Sequence, residues 1–183
     1  RRFGKSLFLD TLKELFEGNR PLFEGLYAHD HWDWSVRHPV VRLSLGSGVL
    51  KTPEGLAASL HYQLSSLEET HAVTSIYLDS PNRLRHLLKT LHDQTGQRVV
   101  VLIDEYDKPI LDNLTEPERA RVMRDGLRDI YSVLKDADAH LRFIFITGVS
   151  KFSKVSLFSG LNNLRDITLE AAYSAICGYT DAE

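Results

Sequence analysis

Arg98-Val-Val-Val-Leu-Ile-Asp-Glu105 places five consecutive apolar residues directly before two acids. A run this short, continuous and rich in β-branched side chains suits a strand buried on both faces of a parallel sheet. A half-solvated strand would alternate instead. The acids then fall at the carboxyl end of the strand, which is where open α/β sheets bind their ligands.

Reading outward from that strand gives the rest of the architecture. Downstream, residues 116–134 set Val122, Met123, Leu127, Ile130 and Leu134 on the apolar side of a long helix. Leu141-Arg-Phe-Ile-Phe-Ile-Thr147 reads as a second buried strand, ended by Gly148. A short extended piece over residues 166–169 and a last helix from about Ala171 follow. Upstream, one helix covers residues 82–94, after Ser80-Pro81 and before Gly96, and another covers 52–69, with Thr52 as its cap and Pro53 in its first turn. Pro39-Val-Val-Arg-Leu-Ser-Leu45 alternates like a strand and breaks at Gly46-Ser-Gly48. Residues 21–39, with Phe23, Tyr27, Trp32 and Trp34, read as a packed loop or short helical turns. Leu7, Phe8, Leu12, Leu15 and Phe16 share one face of a helix that stops at Gly18. Strands alternating with helices predict a three-layer α/β domain around a mostly parallel sheet.

Composition narrows the class of function. A chain of 183 residues, 43% hydrophobic and 26% charged, is enough for one domain with a substantial core. The net charge of −3 argues against a dedicated nucleic-acid surface. No apolar run approaches the roughly 20 residues that a membrane helix requires. Cys177 is the only cysteine, so no internal disulfide is available, and a reducing cytoplasm fits best.

Two short motifs carry the chemistry. Gly4-Lys5-Ser6, followed at once by a helix, is the second half of a phosphate-binding loop. Glycine admits phosphate to the backbone, lysine reaches the β- and γ-phosphates, serine holds Mg²⁺, and the helix N-terminus adds partial positive charge. Gly4, Lys5, Ser6 and Leu7 are therefore the candidate nucleotide-binding residues. Asp104, at the strand end, is a candidate Mg²⁺ ligand together with Ser6, and Glu105 a general base that polarises the attacking water. Thr147, at the tip of the next strand, is a candidate for sensing the γ-phosphate or the water. Lys151, Lys154 and Arg165 are candidate cations for the transition state. Lys108, Arg119, Arg121 and Arg124 read as ordinary helix-surface charges. Asp107, Asp112 and Asn113 could extend the acidic site, but as helix-surface residues they are expected to face water. His29 and His31, interleaved with Trp32 and Trp34, read as a surface packing loop in which the tryptophans anchor to the core.

Together these segments resemble one family, the bacterial and archaeal AAA-ATPase-like proteins. The residues that carry the likeness are Arg1-Arg-Phe-Gly-Lys-Ser6, Leu12-Lys-Glu-Leu-Phe-Glu-Gly18 and Val101-Leu-Ile-Asp-Glu-Tyr-Asp-Lys-Pro-Ile110. To these are added Thr147-Gly-Val-Ser-Lys-Phe-Ser-Lys-Val-Ser156 and Phe158-Ser-Gly-Leu-Asn-Asn-Leu-Arg-Asp-Ile167. The resemblance implies a P-loop fold with ATP and Mg²⁺ as ligands, Lys5 and Ser6 at the nucleotide and metal positions, and Asp104 and Glu105 as the acid pair. On this reading residues 1–183 are a partial domain truncated at both ends, lacking the strand that precedes the phosphate loop. Many members also carry a C-terminal nuclease-like domain of the restriction-endonuclease type, so an effector domain is expected outside these residues, and nucleic acid enters only through it. The expected function is Mg²⁺-dependent ATP hydrolysis that moves this attached domain. The alternative is a nucleotide-binding switch with negligible turnover.

Overall fold

A computed structural model describes residues 4–46, 48, 50–149 and 164–177. Helix α1 (Lys5–Glu17) is followed by a 3-10 turn at Arg20–Phe23 and the short α2 (Tyr27–His31). Strand β1 (Val40–Ser44) leads into α3 (Pro53–Thr70) and α4 (Ser80–Thr95). Strand β2 (Val99–Asp104) leads through α5 (Lys108–Leu111) and α6 (Pro117–Asp136) to β3 (Leu141–Ile146). The stop and start signals act as their chemistry demands. Gly18 and Gly96 end α1 and α4 in the left-handed conformation. The Thr52 hydroxyl and the Asp79 carboxylate accept N–H groups of the first turns of α3 and α4.

The described strands form one parallel sheet in the order β1-β2-β3. Successive strands are laid down in one direction, so crossovers of a single hand must put α3, α4 and α6 on the same face. The core confirms this. Val99, Val101 and Ile103 pack with Val41, Leu43 and the apolar stripes of α3, α4 and α6. Val100 and Leu102 point the other way, into a second cluster with Val40, Leu9 and Phe16, against which Trp32 and Phe145 pack. Two clusters separated by one sheet make three layers. All six residues of β2 are buried, as its unbroken apolar run requires.

Trp32 and Trp34 do anchor the irregular segment. Trp32 packs edge-on against Phe16 at 5.2 Å, and Trp34 lies 5.2 Å from Phe23. His29 and His31 stay near α2, bonded to Asp30 and to the Tyr27 carbonyl. No described helix is long and apolar enough to cross a membrane.

Four expectations about these elements need correction. β3 is not buried on both faces: Arg142 and Phe143 are exposed, and among the described residues β3 pairs with β2 alone. A groove of about 810 Å³ runs along its outer side, lined by Phe8, Leu12, Phe143 and Phe145. Val122 is also exposed, because it lies at the margin of the α6 stripe beside a second groove shared with α3. Residues 166–169 form no strand; the Asp166 carboxylate accepts both the N–H and the hydroxyl of Thr168, closing a turn instead. After it, the expected last helix is a single 3-10 turn, Ala171–Tyr173, within the described residues.

One buried ion pair joins α3 to α4. Arg83 and Glu68 are 4% and 8% exposed, and the guanidinium forks onto the carboxylate at 3.0 and 2.5 Å. Its remaining donors reach Ser65 and His61. Glu68→Ala would leave the guanidinium buried without its counter-charge, and is expected to cost about 3–5 kcal/mol in urea denaturation. Replacing Glu68 and Arg83 together by methionine should restore most of that loss. A single mutant within about 1 kcal/mol of the parent would show that the pair is solvated in solution.

Candidate functional site

The site is assembled at the carboxyl ends of the strands, where the register brings Ser44 beside Asp104 and the Thr147 N–H donates to the Ile103 carbonyl. Gly4 opens α1 at φ 77°, a left-handed conformation in which a Cβ would be penalised. Gly4, at the cap position, has no side chain to cap α1. The N–H groups of a first helical turn have no intrahelical acceptor, so they and the positive end of the helix are available to an anion.

Four of the candidate residues meet here. The Ser6 hydroxyl donates to Asp104 Oδ2 at 2.6 Å, joining positions 98 residues apart in the chain. The Thr147 hydroxyl donates to Asp104 Oδ1, also at 2.6 Å. Each carboxylate oxygen is thus held by one hydroxyl, and Asp104 and Thr147 are only 4% and 8% exposed. Lys5 Nζ donates to the Gly148 carbonyl at 3.0 Å, which places the ammonium at the tip of β3. Cys177 lies close enough for the Lys5 charge to draw its thiol pKa down, although burial, the larger effect, raises it.

Glu105 departs from the others. Its backbone is left-handed, with φ 51°, an uncommon conformation for a residue with a side chain. The half-buried carboxylate turns toward Gly46, beyond the end of β1. Among the described residues it has no hydrogen-bond or ion-pair partner.

Leu7 is 70% exposed on the first turn of α1. Arg165 forks onto Glu170 and lies 5.8 Å over the Tyr173 ring, so its charge is already engaged. Lys151 and Lys154 lie outside the described residues. Lys108 is tied to Asp112 at 2.5 Å and to the Gly48 carbonyl at 3.3 Å.

Asp107 and Asn113 do not face water; they are 1% and 2% exposed. Both oxygens of Asp107 accept the Val149 N–H, at 2.9 and 3.2 Å. The Asn113 amide donates to the carbonyls of Leu50 and Pro109. These two side chains fasten the segment after β2 to the chain beyond β3 and beyond β1. Tyr106 completes the clamp: its N–H donates to the Thr147 carbonyl. A Cβ on Gly148 would fall 2.4 Å from the Tyr106 ring. Burial pushes the neighbouring Tyr131 phenol well above its ordinary range, with Tyr106 and Asp107 adding to the effect.

Fold and site together define an α/β domain whose glycine-headed helix faces a buried acid and a hydroxyl at the strand tips. Among described residues, no three His, Cys, Asp or Glu gather as a metal cluster. The chain belongs to the AAA-ATPase-like family, described as "Predicted AAA-ATPase", whose model matches residues 1–158. It is 58% identical over 183 residues to a protein of Azotobacter chroococcum mcd 1 named "Uncharacterized protein in vnfD 5'region". That match covers all of this chain and 36% of the relative, so the chain spans about a third of its relative's length. No solved structure matches.

Proposed function

We propose that this chain binds ATP with Mg²⁺, hydrolyses it, and through hydrolysis moves a domain attached to it. The observation that carries the reading is the clasp on Asp104: the serine of the Gly-Lys-Ser turn and the threonine of the next strand each hold one of its oxygens. Chance motifs in unrelated parts of a chain have no reason to converge in this way. Family membership supports ATP as the nucleotide.

The donors present suit Mg²⁺. A serine hydroxyl and a buried carboxylate are hard oxygen ligands, and this ion commonly takes only one or two protein oxygens beside phosphates and water. Ser6 and Asp104 would hold it, and when bound it would neutralise charge on the phosphates. Lys5 would bind the β- and γ-phosphates. Glu105 would accept a proton from water as the water oxygen bonds to the terminal phosphorus and the bridging P–O bond breaks toward ADP. Thr147 would orient that water or the phosphate. Any contact with nucleic acid would belong to the attached domain.

The test is phosphate release by the full-length protein with and without Mg²⁺, alongside ATP affinity. The parent should turn over only with Mg²⁺. Asp104→Asn should bind ATP with the affinity the parent shows without Mg²⁺, since it loses the metal-dependent part of binding. Tight binding with no release of phosphate by the parent would favour a nucleotide switch instead.

A further inference from the structure

Gly46 calls for an explanation that its backbone does not supply. Five described glycines, Gly4, Gly18, Gly25, Gly48 and Gly96, have the left-handed φ that disfavours any side chain; Gly46 does not. What a side chain at Gly46 would meet is the carboxylate end of Glu105. A Cβ there would lie 2.4 Å from Glu105 Oε2, 2.7 Å from its Cδ and 3.3 Å from its Cγ. The first two distances are far inside van der Waals contact. Gly48, two residues on, is the opposite case: its φ is 80° and a Cβ would meet nothing within 4 Å.

The sheet builds this seat. The register Ser44↔Asp104 is extended by the Leu45 N–H, which donates to the Asp104 carbonyl at 3.0 Å. The next residue on each chain is then Gly46 and Glu105. Nearby in sequence, Lys108 Nζ, at the start of α5, donates to the Gly48 carbonyl at 3.3 Å. Glu105 is therefore aimed by a strained backbone and a steric slot, with no hydrogen bond spent on its carboxylate among the described residues. A base held this way keeps both oxygens for water.

We propose that Gly46 is a positioning residue for Glu105: its missing side chain is the space that sets where the carboxylate lies. The proposal rests on reading Glu105 as the general base. A methyl at position 46 forces the carboxylate to swing away, while the neighbouring backbone can stay in place.

In the full-length protein Gly46→Ala is expected to lower kcat about 10–100-fold, the scale of a misplacement near 1 Å. The KM for ATP should change no more than about twofold, because Lys5 and Ser6 do not touch the seat. In a Glu105→Gln background the same substitution should cost nothing further, since no base is left to misplace. An unchanged kcat in Gly46→Ala overturns the proposal, and so does a loss that multiplies with that of Glu105→Gln. If Gly46→Ala does not fold, Glu105→Asp supplies the second measurement, as its shorter side chain withdraws from the seat. Gly46→Ala added to Glu105→Asp should then fold and match Glu105→Asp alone; a further loss of rate overturns the proposal. Failure of the underlying reading looks different: Glu105→Gln would turn over like the parent, whatever Gly46→Ala does.

Discussion

Lys5→Ala in the full-length protein is expected to show no measurable ATP binding at concentrations that saturate the parent, a loss of at least about 100-fold. The ammonium already sits at the tip of β3, 3.0 Å from the Gly148 carbonyl, and Lys5 and Gly148 are next in sequence to Ser6 and Thr147, whose hydroxyls hold Asp104. The other candidate cation among the described residues, Arg165, is forked onto Glu170. A triphosphate brought to α1 would thus lose its strongest protein counter-charge, and the helix end alone contributes roughly 0.3–2 kcal/mol. Calorimetric titration with a non-hydrolysable ATP analogue measures this directly. Affinity equal to the parent's would remove Gly4, Lys5 and Ser6 from the nucleotide site, and with them the proposed function.

Glu105→Gln is expected to separate binding from chemistry. The amide nearly matches the carboxylate in shape, so it can occupy the slot at Gly46, but it cannot accept a proton from water. Turnover should fall about 10²–10⁴-fold, the usual contribution of a positioned general base, while ATP affinity holds. Single-turnover phosphate release with saturating nucleotide isolates the step. A parent-like rate would leave the nucleotide switch as the better reading of this chain.

The sheet and its helices were largely legible because each follows from a local rule. The β2 run is apolar throughout because both faces are covered, and α3 and α4 begin where a side chain caps their first turn. The convergence of Ser6, Asp104 and Thr147 could be anticipated from motifs that sit at strand and helix ends. What stayed hidden depends on partners distant in sequence. Asp107 looks like surface on any scale that treats an acid as solvated, yet its partner is a backbone N–H 42 residues away. Asn113 likewise spans 63 residues to reach Leu50. The exposure of β3 was invisible for the opposite reason: an apolar run reports what a segment is suited to, and says nothing of whether a neighbour lies beside it. Gly46 read simply as a strand breaker, since its contact with Glu105 exists only once β1 and β2 are in register.

The left-handed backbone of Glu105 sets two kinds of selection against each other. Glycine at this position would relieve strain worth about 1 kcal/mol, and asparagine would tolerate the same φ more readily than glutamate does. With Glu105 as the proposed base, a screen that rewards heat resistance alone is expected to drift toward proteins that are sturdier and inert. On the same proposal, a library sorted both for heat resistance and for turnover should enrich this position in opposite directions.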